Sequence, residues 1–362
     1  MLLKSLTLAI FLLCLCAGLH LARHNPLEND EIYSQLYGIE RLSFGEILTG
    51  KIAEGNNSPL FYLSQKTFFA LTRFHLNNSW VPGDSMCDLH AQTIMRFLPI
   101  VYMSAALCLL WYFFARRYGW TAGGLALLLG LASPMVWPYW AQARPYSLWT
   151  LLTTCQLLLF LSGLEKPSQQ KERWLLCVHG CLCLTTAFGL IQTIIVTALL
   201  RPRNAWQAGV PLLLGLFYAW RAPHYEFHVG QAGQLILENF SLIRLAAAVL
   251  CAAGIFYLNR QTRAQWPQVK FLWAVTIFLL VPVFIIGYYQ DLNVPSNVGF
   301  GLSSRYFIFL TPLATISFLV VWQNLWQRSA NAWIKIVLIE IMAGALIFDG
   351  MQTWVVLQRL WG

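Results

Sequence analysis

Ten apolar stretches dominate this chain, at about 3–22, 96–115, 121–140, 146–164, 174–200, 205–220, 241–259, 271–289, 305–326 and 333–357. Roughly 20 helical residues cross a hydrocarbon core about 30 Å thick, so runs of this length predict membrane-spanning helices. Lipid offers no hydrogen bonds, and a helix satisfies its own backbone where an open strand does not. Hydrophobic residues make up 58% of the 362 and charged residues only 11%, whereas soluble domains carry about 25% charge. A soluble core of this size would lack the polar surface to cover it. The predicted fold class is therefore all-α, a polytopic integral membrane protein forming a single membrane domain over 1–362.

The run at 174–200 has 27 residues, too many for one untilted span at 1.5 Å per residue. Thr185, Thr186 and Gly189 near its middle permit a tight reversal. Two short helices there bring the expected total to about eleven spans. The first run, Leu6 to about Ala22, follows Lys4 but exceeds an ordinary signal-peptide core and ends without a small-x-small cleavage site. It reads as a retained span, 3–22.

The net charge of +9 sits in short clusters between apolar runs rather than in one patch. Such a distribution sets topology and does not suggest nucleic acid as a partner. With the N-terminus in the cytoplasm, Lys4, Arg116, Arg117, Lys166, Lys171, Arg173, Arg201, Arg203, Arg260, Arg263, Lys270, Arg328 and Lys335 fall inside. Most acids, among them Glu28, Asp30, Glu31, Glu40, Glu46, Glu54, Asp84 and Asp88, fall outside. All nine cysteines but Cys87 lie within apolar runs, as small packing residues do. Neither they nor the scattered histidines form a metal-ligand pattern, and no cofactor is expected.

The external loop 23–95 is far longer than any other, and the transmembrane bundle follows it over 96–357. Within the loop, 58–76 is apolar yet carries Lys66 and Arg73 on one face, with Pro59 at a first-turn position. It reads as an amphipathic helix lying at the interface. Were it a span, every later cation cluster would change sides.

Candidate chemistry collects on the external face. Asp30 and Glu31 directly follow the first span, and a carboxylate held there is placed to take a proton from a hydroxyl nucleophile. Arg96 opens the second run, Arg144-Pro145-Tyr146 precedes the fourth, and Arg305-Tyr306 opens the ninth. One arginine at a helix end commonly snorkels to headgroups. Several on one face match bidentate recognition of a phosphate, and a phosphate-bearing lipid is the ligand suited to that depth.

These segments together resemble the GT-C type membrane glycosyltransferases, in the branch that includes protein O-mannosyltransferases and bacterial lipid A aminoarabinose transferases. The resemblance lies in Asp30-Glu31-Ile32-Tyr33, in Asn57-Ser58-Pro59-Leu60-Phe61-Tyr62, and in Arg96 with Ala115-Arg116-Arg117-Tyr118-Gly119. It continues in Ser133-Pro134, in Gln142-Ala143-Arg144-Pro145-Tyr146-Ser147-Leu148, and in Ser304-Arg305-Tyr306 with Pro312. It is densest over about 26–150. Asn57 stands where the family carries a histidine, and Gln142 where it often carries an acid.

The resemblance implies an inverting transfer of a sugar from a polyprenyl-phosphate donor to a hydroxyl of a lipid, glycan or protein acceptor. Asp30 would be the general base and Glu31 its neighbour for positioning. Arg144, Tyr146, Arg305 and Arg96 would bind substrate, the arginines meeting the leaving phosphate. The implied location is a multi-pass cell membrane, the bacterial inner membrane, with the site facing the periplasm or exterior. Two other classes fit the composition. A secondary transporter or lipid flippase would use acids inside spans, here Glu340 and Asp349. A non-catalytic glycan-assembly subunit would need none of these side chains for chemistry.

Overall fold

The computed structural model describes residues 2–52, 58–76, 89–200, 205–221, 226–228, 288–290 and 308–361. The regular structure of the described residues is helical apart from one three-residue antiparallel pair, β1 (Glu226–His228) with β2 (Tyr288–Gln290). The all-α class expected from the sequence holds for the described residues, this short pair apart. β2 also begins within the run at 271–289, whose other residues lie outside the described set, as does 241–259.

Among the described residues three helices are long and apolar enough to cross a membrane: α1 (Leu2–His24), α5 (Leu89–Tyr118) and α8 (Tyr146–Glu165). Two shorter apolar helices, α6 (Trp120–Leu131) and α10 (Ala187–Leu200), accompany them. Between α1 and α5 the chain forms α2 (Asn29–Gln35), a π-helical turn (Leu36–Glu40), α3 (Phe44–Leu48) and α4 (Pro59–Thr72). The other described helices are α7 (Val136–Trp140), α9 (Gln169–Cys183), α11 (Ala205–Arg221), α12 (Leu310–Arg328) and α13 (Ala332–Trp361).

α5 begins well before the run that predicts it. Its 30 residues extend about 45 Å at 1.5 Å per residue, and the added N-terminal turns lean on α4. Pro99 lies inside this helix and has no N–H for the carbonyl four residues back, that of Met95. Gln65 on α4 fills the gap, donating from Nε2 to the Met95 carbonyl at 2.7 Å. The helix therefore keeps its proline because a neighbour satisfies the freed acceptor.

The run at 121–140 is not one span. α6 stops at Leu131, and Pro134 keeps Ser133 out of the helical region. The exposed carbonyls of that end find side-chain donors: Trp137 Nε1 bonds Leu131 O at 2.7 Å, and Thr353 Oγ1 bonds Ala132 O at 2.6 Å. The long run at 174–200 does divide, into α9 and α10 about a turn at Leu184–Thr186. A Cβ at Gly189 would sit 2.2 Å from the Leu182 carbonyl oxygen, so this reversal accepts no side chain there.

Long-range bonds gather one set of helix ends together. The α9–α10 turn accepts from the backbone at the start of α4, Ser58 N to Thr185 O and Leu60 N to Leu184 O. The end of α11 reaches α3, with Tyr218 Oη donating to Leu48 O at 2.7 Å and Arg221 to Thr49 O. Ser133, after α6, meets Thr311 at the start of α12. At the opposite end of the bundle, Arg117 closing α5 pairs with Glu165 closing α8.

Two apolar cores result. The larger joins α1, α5, α6, α8, α9, α10, α12 and α13, with Ile100, Met103, Leu107, Leu110 and Phe114 of α5 recurring at helical spacing. The smaller packs Ile32, Leu36, Ile39, Phe61, Tyr62 and Phe69 against Ala91, Met95, Ala143 and Leu148. The predicted amphipathic helix at 58–76 is α4, and its Phe61, Tyr62, Gln65 and Phe69 stripe is buried on protein. Gly38 of the π-helical turn leaves room for the Tyr62 ring, which would stand 2.8 Å from an added Cβ.

Candidate functional site

The site lies where the two cores meet, just past the end of α1. Asp30 and Glu31 occupy the first turn of α2, where carboxylates are favoured by the N–H groups of a helix start. The turn brings the two side chains into different surroundings. Glu31 is fully buried, whereas the Asp30 side chain is half exposed.

Glu31 is bound on every side. Arg96 donates to it from Nε at 2.9 Å and from Nη2 at 2.5 Å. The Ala143 amide donates to Oε1 at 2.6 Å, and the Glu28 amide to Oε2 at 3.0 Å. The Arg96 guanidinium also donates to three carbonyls at the end of α1: Ala22 at 3.2 Å, Asn25 at 2.6 Å and Pro26 at 2.9 Å. Five bonds use all five guanidinium N–H donors.

This geometry corrects the reading of Arg96 as a phosphate clamp. No donor remains for a substrate, and Arg96 instead caps α1 and neutralises a buried carboxylate. Glu31 likewise has no exposure through which to touch a substrate. It holds the α1 end, α2 and the segment before α8 in one arrangement.

That segment, 142–144, is bound to the α2 region at each residue. Gln142 Nε2 donates to Glu28 Oε2 at 2.7 Å. Ala143 is held by Glu31 at its amide and by Gln35 Nε2 at its carbonyl, 2.7 Å away. Arg144 Nη1 pairs with Asp30 Oδ2 at 2.6 Å. Sequence separations of 108 to 114 residues are thereby closed by four polar bonds.

Arg144 is nearly buried and lies over the Tyr146 ring at 5.5 Å. Tyr146 itself is buried and packs edge-on against Tyr139, so it supports Arg144 from behind rather than facing solvent. Arg305, Tyr306 and Asn57 lie outside the described residues. Of the predicted site residues, the structure thus brings Asp30 and Arg144 together in reach of solvent, and places Glu31, Arg96 and Tyr146 behind them.

Glu28 was assigned only to a topological side by the sequence. Its carboxyl is pushed above the ordinary range, first by burial and then by the Glu31 charge. The bond from Gln142 pulls the other way, Asp30 raises it again, and Arg96 lowers it. Glu28 and Glu31 stand three apart at a helix start, the spacing at which an N-terminal side chain reaches back to the cap amide, and this was the available signal. The amide of Gln142, where an acid was expected, bonds to this acid.

A stack continues from Asp30 along the same face. Tyr33 and Tyr37 lie 4.8 Å apart, and Arg41 stands 4.3 Å over the Tyr37 ring. Among the described residues no three His, Cys, Asp or Glu side chains are placed to hold a metal ion. No protein-family model matches the chain, and no curated protein matches it either.

Proposed function

We propose that this chain is a multi-pass membrane glycosyltransferase of the GT-C type, moving a sugar from a polyprenyl-phosphate donor to an acceptor hydroxyl with inversion. The observation that carries the reading is the Asp30–Arg144 pair. A half-exposed carboxylate meets a nearly buried guanidinium at the mouth of α1, α5 and α8, three helices suited to lipid.

In this reading Asp30 accepts the acceptor's hydroxyl proton as the oxygen attacks the anomeric carbon. The bond from that carbon to the phosphate oxygen breaks, and polyprenyl phosphate leaves with the electron pair. Arg144 stabilises the charge that develops, and a well-placed donor of this kind contributes about 3 kcal/mol to the barrier. A guanidinium carries five N–H donors, enough to hold a carboxylate and a phosphate oxygen together. Glu31 and Arg96 act by positioning the loop that bears Arg144. The site faces the periplasm or exterior of a bacterial inner membrane, and the acceptor is a lipid, glycan or protein.

The test is Asp30→Asn in membranes supplied with polyprenyl-phosphate sugars. Losing a general base costs about 10²–10⁴-fold in rate. Transfer is expected to fall by that factor while the protein stays abundant in the membrane. Wild-type transfer by the variant would end the general-base assignment.

A second reading, secondary transport or lipid flipping, draws on one observation. Asp349 of α13 is buried, only 6% exposed, within an apolar helix. Carboxylates at such depth mark ion or substrate paths. Uptake or flipping that depends on Asp349 and not on Asp30 would select it.

A further inference from the structure

At the end of the bundle opposite Asp30, α8 turns into α9 around a cavity of about 180 Å³. Leu159, Leu164, Leu175 and Leu200 form its apolar wall, and Ser168, Lys171 and Glu172 form the polar side. The polar side coincides with the start of α9, where Ser168 caps the helix by accepting from the Lys171 amide at 3.3 Å.

Lys171 lies across the end of α8, donating from Nζ to Ser162 O at 2.9 Å and to Lys166 O at 2.8 Å. An ammonium has three N–H donors, so one remains for a ligand oxygen. Arg117 and Glu165 nearby neutralise each other. The charged residues of the lining itself are Lys171 and Glu172, and Lys171 is the cation available to an anionic group.

We propose that this cavity binds an anionic phospholipid from the leaflet opposite the Asp30 site. The phosphate sits at Lys171 and the α9 start, and one acyl chain enters between Leu159, Leu164, Leu175 and Leu200. The proposal rests on the membrane reading above and not on the transfer chemistry. Three features argue for a lipid over a soluble anion. The wall is aliphatic on α8, α9 and α10, the cation is at the boundary between apolar and polar lining, and basic pockets between spanning helices recognise such headgroups.

Full-length protein in detergent is titrated with dioleoyl phosphatidylglycerol or phosphatidylcholine, and bound lipid is counted by native mass spectrometry. The wild type is expected to prefer phosphatidylglycerol. K171Q is expected to lose about fivefold in affinity for it, from about 1 kcal/mol per basic residue at 1.4 kcal/mol per decade.

Because Lys171 also bonds the α8 carbonyls, G163L is the second variant. It keeps every charge and fills the apolar space. The nearest atom to a Cβ at Gly163 is Leu200 Cδ1, at 3.8 Å, so the backbone accepts the change. G163L is expected to abolish the preference. Wild-type affinity and preference in both variants would overturn the proposal, as would displacement of the lipid by millimolar inorganic phosphate. Carbonate extraction of membranes reads the membrane assignment separately. A chain released by carbonate sinks that reading, whereas a retained chain without the preference sinks only this inference.

Discussion

Replacing Arg96 with methionine removes a buried cation and leaves the Glu31 carboxylate, which has no solvent exposure, with only the Ala143 and Glu28 amides as donors. Breaking one side of a buried ion pair costs about 3–5 kcal/mol, chiefly because the abandoned charge stays desolvated. Glu31→Gln strands the guanidinium in the same way and belongs in the same range. The double variant should cost less than the sum by about 2–3 kcal/mol, the coupling of two groups in one network. It will not return to wild type, since the carbonyls of Ala22, Asn25 and Pro26 still lose their donor. Arg96→Lys rescues poorly, because three donors cannot replace five.

The 16 tryptophans give an intrinsic fluorescence signal for thermal unfolding in detergent. At about 2 °C per kcal/mol, the lower end for large domains, each single variant should lower Tm by about 6–10 °C. A Tm for Arg96→Met within about 2 °C of wild type would refute the reasoning, on the same scale. Full additivity in the double variant would show that the two side chains do not share their bonds.

Glu28 makes stability depend on pH with a definite sign. Its folded value is raised above 4.5, so the native state holds the proton more tightly than the unfolded chain. Its stabilising contribution is complete below the unfolded value and is lost as pH rises through the folded one. Thermal scans from pH 4.5 upward should show that loss in the wild type and a flatter profile in Glu28→Gln; parallel profiles would argue against it. Gln65→Leu should cost about 1–3 kcal/mol by stranding the Met95 carbonyl that Pro99 leaves open. An unchanged Tm would mean that α5 satisfies this acceptor without α4. Gly189→Ala should cost about 1–3 kcal/mol or more by forcing the Leu182 carbonyl away, again read as Tm.

The sequence by itself determined where the long apolar helices form, though not all of their bounds. Apolar runs of spanning length became α1, α5 and α8, and the polar break at Thr185-Thr186 divided one long run as its length required. Pro59 opens α4, and the segments around Asp30 and Arg144 are marked by their residue types alone. These are local properties, set by period, length and backbone-restricting residues within a few positions.

Only the tertiary structure decided what each polar side chain does. Adjacent Asp30 and Glu31 look equivalent as letters, yet one is half exposed and the other is sealed beneath Arg96. Arg96 and Arg144 both stand at the starts of apolar runs, but one spends every donor on Glu31 and the carbonyls at the α1 end while the other meets Asp30. Glu28 acquired a raised carboxyl through burial and the Glu31 charge, against the pull of a bond from Gln142, 114 residues away. β1 and β2 likewise needed a partner that neither strand announces. A charge in a lipid-like interior takes its role from the groups that replace its water, and here those groups arrive from 65 to 114 residues along the chain.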